Sequence, residues 1–253
     1  MRMRLLEVAD KTLRSRRLKT AIRGLFLRLT LRFALVKLRR ESNQRKSVEE
    51  YVDLAFGIFS SFPFGLWNIA PRQVSWEIAR LLRILAKHKP KFVLEIGTAG
   101  GGTLFLLAKV SSPDALMISM DLPAGRLDVG YSELKAPFYK SFATNRQKIY
   151  LIRGDSHASD TFIMVKKILC GNMLDFLFID GGHTYEGVRK DFELYSRLVK
   201  KRGIVAFHDI VPGPPENVGG VPRFWSEVKH GFRYVELVKD WEQGVCGLGV
   251  LQL

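Results

Sequence analysis

Acidic side chains recur where apolar runs stop. Phe92–Ile96 carries Glu95 and enters Gly97-Thr98-Ala99-Gly100-Gly101-Gly102; the run 115–120 stops at Asp121. Lys148–Arg153 stops at Gly154-Asp155, Leu174–Ile179 at Asp180-Gly181-Gly182, and 203–207 at His208-Asp209. One acid after a strand is ordinary turn chemistry. A series of them fits side chains delivered to one rim, because an open α/β sheet binds ligands outside the carboxyl ends of its strands. Glu95, beside glycines that allow close backbone approach, suits a ligand that is cationic or rich in hydroxyls and amines. Asp121 can accept from both hydroxyls of a ribose, and Asp155-Ser156 can meet an adenine amino edge. The loop reads E-x-G-x-x-x-G. Ala99 stands where the dinucleotide pattern G-x-G-x-x-G needs a glycine, and no G-K-[ST] follows, so neither a dinucleotide nor a triphosphate loop is indicated.

These positions need an α/β scaffold. Residues 76–87 read as a helix ending before Pro90, 103–110 as a second, and 184–200 as a third, with Tyr185, Val188, Phe192, Tyr195 and Leu198 at helical spacing. Strands alternating with helices predict a doubly wound, mostly parallel, Rossmann-like sheet buried on both faces. The runs 233–238 and 245–251 predict an antiparallel terminal hairpin at its edge. The chain divides into a basic extension (1–46), an aromatic-rich covering segment (47–73) and the α/β domain (74–253). The covering segment holds Tyr51, Phe56, Phe59, Phe62, Phe64 and Trp67, broken by Pro63 and Pro71. It reads as a plug over the core rather than a pocket roof.

The 253 residues, 47% hydrophobic and 26% charged, are enough for a sizeable core and rule out a disordered chain. Two cysteines, Cys170 and Cys246, exclude a disulfide scaffold, point to a reducing compartment and read as core residues. Residues 1–46 hold 15 Lys+Arg against 3 Asp+Glu, which is +12 of the chain's formal +15. The charge therefore belongs to the extension, which weakens a nucleic-acid reading of the whole chain. The extension has no proline, and Ile22, Phe26, Leu29, Phe33 and Val36 fall on one helical face flanked by Arg23, Arg28, Arg32 and Lys37. Such a helix can lie in an anionic membrane interface, or dock on its own domain or on a second subunit in a homo-oligomer. The expected location is cytoplasmic, peripheral to a membrane in the first case.

The order of motifs over residues 74–253 resembles the class I S-adenosylmethionine-dependent methyltransferases. Ile179-Asp-Gly-Gly-His-Thr-Tyr-Glu186, Gly203-Ile-Val-Ala-Phe-His-Asp-Ile210, Gly219-Gly-Val-Pro-Arg-Phe-Trp225 and Gly247-Leu-Gly-Val-Leu251 resemble the branch of cephalosporin-hydroxylase-like proteins and small-molecule O-methyltransferases. The resemblance implies a seven-stranded sheet and S-adenosyl-L-methionine as cofactor, held at Glu95, Gly97, Thr98, Gly101, Asp121 and Asp180 with Asp155 and Ser156 near the adenine. It implies methyl transfer to a hydroxyl of a small molecule, sugar or glycolipid.

Such a transfer needs alignment of the acceptor and its deprotonation, by a base or by a divalent cation that lowers the acceptor pKa. His183 and His208 are the expected bases. Some members of the resembled group hold magnesium with strand-end acids, and the matching positions are Asp180, His208 and Asp209. His208 stands in place of an oxygen ligand, which disfavours magnesium. The competing readings are a dinucleotide-dependent oxidoreductase, a nucleic-acid-directed enzyme and a non-catalytic relative.

Overall fold

The computed structural model describes residues 2–62, 66–123 and 130–253, without the side chains of 2–20 and Arg23. Pro63 and Phe64 of the covering segment lie outside the described residues. The sheet contains β1 (Phe92–Ile96), β2 (Leu116–Asp121), β3 (Lys148–Arg153), β4 (Leu174–Ile179), β5 (Val199–Phe207), β6 (Arg233–Leu237) and β7 (Leu248–Gln252), in the order β3-β2-β1-β4-β5-β7-β6. The first five strands run parallel; β7 is antiparallel to both β5 and β6. The apolar strand runs are buried because the sheet is covered on both faces. Leu81, Phe105, Phe138 and Phe178 belong to one cluster, and Leu94, Leu177, Tyr195 and Trp225 to the other. Sequence order reverses between β1 and β4, so the crevice of a doubly wound sheet opens there.

The expected 184–200 helix is shorter. The helix over Tyr185–Tyr195 is followed by a 3-10 turn, and β5 starts at Val199, because Val199 pairs with Leu174 before the register shifts at Phe176. Cys170 is exposed rather than in the core: it caps the helix Ser159–Leu169 in the left-handed region, φ 48°. Trp241 is also exposed, whereas Trp225 packs against Gly249, where a Cβ would lie 2.7 Å from the indole ring.

The leader is one helix, α1 (Arg2–Asn43), and it docks through the face opposite the apolar stripe read from the sequence. Leu27, Ala34 and Leu38 are buried, while Ile22, Phe26, Leu29, Phe33 and Val36 are exposed. The two stripes lie half a turn apart, and the sequence offers both. The covering segment begins with α2 (Val48–Gly57), whose Ser47/Glu50 capping box fixes its start. Phe59, Trp67 and Ile69 then plug the sheet, and the Trp67 Nε1–H donates to Thr30 Oγ1 of α1 at 2.8 Å.

A carboxylate that sequence pattern could not flag organises the far edge. Glu77, on α3 (Ser75–His88), is fully buried and accepts from Lys239 N (3.0 Å), Gln243 Nε2 (2.8 Å) and Gly247 N (2.9 Å). It ties the loop 239–247 to the sheet. Glu77→Ala is expected to lower unfolding free energy by about 2–4 kcal/mol, since three donors lose their acceptor. Urea midpoints check this, and a change under about 0.5 kcal/mol would contradict it.

Candidate functional site

The loop after β1 is built by close chain approaches. Gly97 has φ 99°, donates N–H to Met120 O at 2.8 Å, and would place a Cβ 1.9 Å from the Asp180 carbonyl oxygen. Gly101 has φ 84° and caps α4 (Gly102–Val110); a Cβ there would meet the Tyr139 ring at 2.7 Å. These glycines are needed for the turn and for packing against the chain itself. Asn68 and Ile69 of the covering segment back onto Gly100 and Gly102. The plug thus presses the loop toward the crevice.

Beneath the loop Glu95 is fully buried. Its Oε2 accepts a short hydrogen bond from Ser119 Oγ, which also pairs with Thr98 Oγ1 at 2.6 Å. Among the described residues its other oxygen, Oε1, has no partner, and neither has the buried Tyr131 hydroxyl. Burial, with the charges of Asp180 and Asp121 adding, pushes the Glu95 carboxyl up to about 8 against the pull of Ser119. Asp121 is differently placed: Oδ2 accepts from Ala99 N and Oδ1 from Leu122 N, both at 2.7 Å. Burial still raises its pKa.

On the other side of the switch point four groups meet. His208, after β5, is buried with Nδ1 3.1 Å from Asp180 Oδ1 and 3.2 Å from Asp209 Oδ2. Burial alone would lower the pKa of His208; Asp180 and Asp209 outweigh it and raise it well above the ordinary value. The two carboxylates thus favour the protonated ring. Asp209 adopts φ 60°, which points its Oδ1 at the Cys246 N–H, 2.9 Å away. Burial would raise its pKa, but hydrogen bonding and charge from His208 hold it low. His183 Nε2 lies 3.4 Å from Asp209 Oδ2, its Nδ1 is 2.7 Å from the Asn217 carbonyl, and its side chain is 42% exposed. Asp180 does not cap the following helix, whose N-cap is Thr184.

At the end of β3, Asp155 is exposed and accepts from His157 N at 2.9 Å. Ser156 is half-buried, and its carbonyl accepts from Tyr195 OH at 2.7 Å. Behind them stands Asp191, fully buried, with Oδ1 3.1 Å from His157 Nε2. His157 is thus paired with a buried carboxylate. Burial raises the Asp191 pKa against Ser156 and His157. Tyr131, Ser119 and Asp191 were invisible to motif reading: Ser119 points inward from mid-strand, Asp191 sits on a helix face, and Tyr131 lies in a stretch with no readable pattern.

The strand ends therefore deliver two clusters. Glu95, Thr98, Ser119 and Asp121 gather around the glycine loop, and Asp180, His183, His208 and Asp209 across the switch point. Asp180, His183 and Asp209 offer ligand atoms all within 4.8 Å of one another; His208, Asp209 and Cys246 form a second such group. In the first group His183 stands where the sequence led us to expect His208, which falls in the second group with Asp209 and Cys246.

A family model described as a methyltransferase domain matches residues 94–210. Among solved structures, the chain is similar to the O-methyltransferase TomG of Streptomyces achromogenes, at 17% identity and TM-score 0.53, covering 86% of this chain and 95% of that one. It is similar to an O-methyltransferase of Bacillus cereus at 16% identity and TM-score 0.54, covering 86% and 97%. Both likenesses show the fold. An uncharacterised protein of Sinorhizobium fredii is 25% identical over 169 residues, 66% of this chain and 16% of that protein. An uncharacterised protein of Acanthamoeba polyphaga mimivirus is 50% identical over 38 residues, 15% of this chain and 17% of its own. The chain spans about a sixth of the length of these curated relatives.

Glu95 keeps its proton in the folded chain where an unfolded glutamate has lost it, between the ordinary 4.5 and about 8. The stability this contributes is present below that window and is lost as pH rises through it. Glu95→Gln removes the titration. Thermal melts of the ligand-free variant are expected to hold level relative to wild type at the acid end and to gain by about 1 kcal/mol per pH unit toward the upper limit. Parallel curves for both proteins would contradict a raised Glu95.

Proposed function

We propose that this chain, with a methyltransferase domain over residues 94–210, binds S-adenosyl-L-methionine in the crevice at β1 and β4 and transfers a methyl group to a hydroxyl of a small molecule, such as a sugar, glycolipid or secondary metabolite. The observation that carries this reading is that Glu95 Oε1 and the Tyr131 hydroxyl, beside the glycine loop, are buried with no partner among the described residues. Buried polar groups are nearly always satisfied, and a ligand with an ammonium group and hydroxyls supplies what both lack. The fold's likeness to O-methyltransferases solved with S-adenosylmethionine, from S. achromogenes, and with its demethylated product, from B. cereus, supports the same ligand. Bound there, the cofactor supplies an electrophilic methyl on a sulfonium whose leaving group is neutral.

The residues divide the binding. Glu95, Gly97, Thr98 and Gly101 take the amino-acid end, with Asp180 across the switch point. Asp121 keeps lone pairs for the ribose hydroxyls beyond its two backbone donors. Asp155 and Ser156 take the adenine. His183 is the base: its Nδ1 donates to the Asn217 carbonyl, which leaves the Nε2 lone pair for the proton of the acceptor hydroxyl. Asp209 Oδ2, 3.4 Å away, faces the resulting imidazolium. His208, buried between the two carboxylates, holds Asp180 and Asp209 together as a positioning residue.

Asp180, His183 and Asp209 would together hold a divalent cation, which would supply a second means of lowering the pKa of an acceptor hydroxyl. Two carboxylates and an imidazole suit manganese or iron(II) better than magnesium. The proposed partners are a small-molecule acceptor and, for the leader, an anionic membrane surface, with the protein on the cytoplasmic side.

Calorimetry with S-adenosylmethionine tests the cofactor. Wild type is expected to bind, and Asp121→Ala to bind about tenfold or more weakly. No binding by folded wild type would overturn the proposal and reopen the oxidoreductase, nucleic-acid and non-catalytic readings. His183→Ala is expected to slow transfer by about 10²–10⁴-fold while cofactor affinity stays within about twofold. Full activity of His183→Ala that chelator abolishes would move the deprotonation to the metal.

A further inference from the structure

From residue 21 to 43, α1 presents two apolar stripes on opposite sides. The inner one, Leu27, Ala34 and Leu38 with Leu31 and Leu35 at its margin, is closed against the fold. The outer one is Ile22, Leu25, Leu29, Phe33 and Val36, with Leu29 70% and Val36 62% exposed. Scattered exposed apolar residues are ordinary, but a continuous stripe is not. At 100° per residue, Arg32 and Arg39 border this stripe and Arg40 prolongs it, and all three are exposed, as is Arg28. Residues 21–46 hold eight basic residues and one acid, Glu41, which pairs with Arg45. Among the described residues no ion pair engages Arg28, Arg32, Arg39 or Arg40.

We infer that the outer face of α1 is a bilayer-interface face, with Ile22, Leu25, Leu29 and Val36 lying among the acyl chain tops of an anionic leaflet and Arg28, Arg32, Arg39 and Arg40 on its headgroups. The inference deepens the membrane partner proposed above by assigning the face, and it does not depend on the reaction. No described helix is long and apolar enough to cross a membrane, so this helix lies on the surface. Charge decides the occupant. A second copy would set two rows of arginines against each other without acids to pair them. Nucleic acid would use the arginines and leave the central apolar stripe wet. A leaflet with anionic headgroups matches both features. The helix is fixed to the domain through the Trp67–Thr30 hydrogen bond and the inner stripe, so such contact would orient the protein as well as tether it.

The test is co-sedimentation of the full chain with phosphatidylcholine vesicles with and without phosphatidylserine. Two variants are compared: Leu25→Gln/Leu29→Gln/Val36→Gln, and Arg28, Arg32, Arg39 and Arg40 all changed to Gln. All these side chains are exposed, so folding and S-adenosylmethionine calorimetry are expected to match wild type. A failure of the cofactor reading would appear in the calorimetry alone. Wild type is expected to pellet with the serine-containing vesicles and about tenfold or more weakly without the serine lipid, and each variant to lose about tenfold or more on the anionic vesicles. Three results would overturn the inference: equal pelleting of wild type and both variants, a wild-type dimer that the leucine variant dissociates, or duplex DNA binding that matches vesicle binding.

Discussion

Burying a carboxylate away from water is expensive unless something compensates its charge, and the crevice of this protein is ringed by strand-end acids that each meet the requirement differently. Glu95 is held protonated. Asp121 is met by two backbone N–H groups. Asp180 and Asp209 share the imidazolium of His208 between them. The sheet edge is thereby divided into a side poised to lose a proton and a side with its charge already balanced. Among the described residues Glu95 Oε1 and the Tyr131 hydroxyl are left without partners on the first side, and the proposed ligand set is arranged around them.

The scaffold serves this arrangement at some distance. Glu77 holds the loop 239–247, the loop supplies the Cys246 N–H, and that N–H holds Asp209 in a left-handed conformation beside His208 and His183. On the other side, α1 and the aromatic plug fix Asn68 and Ile69 behind Gly100 and Gly102, while Tyr139 donates to the Ala99 carbonyl at 2.9 Å. Both supports are packing devices that act on backbone, and backbone geometry decides where the acids point.

How far this could be read from sequence follows from the range of the interactions. Strands β1 and β4 coincide with the apolar runs read from sequence, because buried parallel strands are nearly continuously apolar and their boundaries are marked by Gly, Asp and Pro. The acids at the strand ends were legible for the same reason. The state of each acid was not: whether Glu95 holds a proton or His208 a charge depends on contacts between residues many positions apart. The docked side of α1 was illegible because both sides are apolar, and only the shape of the plug, with Trp67 reaching Thr30, selects one. Tyr131 and Asp191 carry no local pattern: the Tyr131 hydroxyl is buried with no partner among the described residues, and Asp191 is buried against His157. His183 reads alike from both, near the acceptor in sequence and half-exposed at the rim in the fold.

The claim that Glu95 waits for a cationic ligand is tested most directly by carbon-13 NMR of its side-chain carboxyl, followed across pH in the free chain and in the chain saturated with S-adenosylmethionine. The account predicts a free midpoint near 8 that falls by about a pH unit or more on binding, as the ligand's positive charge comes to favour the carboxylate. A midpoint in the ordinary glutamate range in the free chain, or one that saturation leaves unmoved, would contradict it.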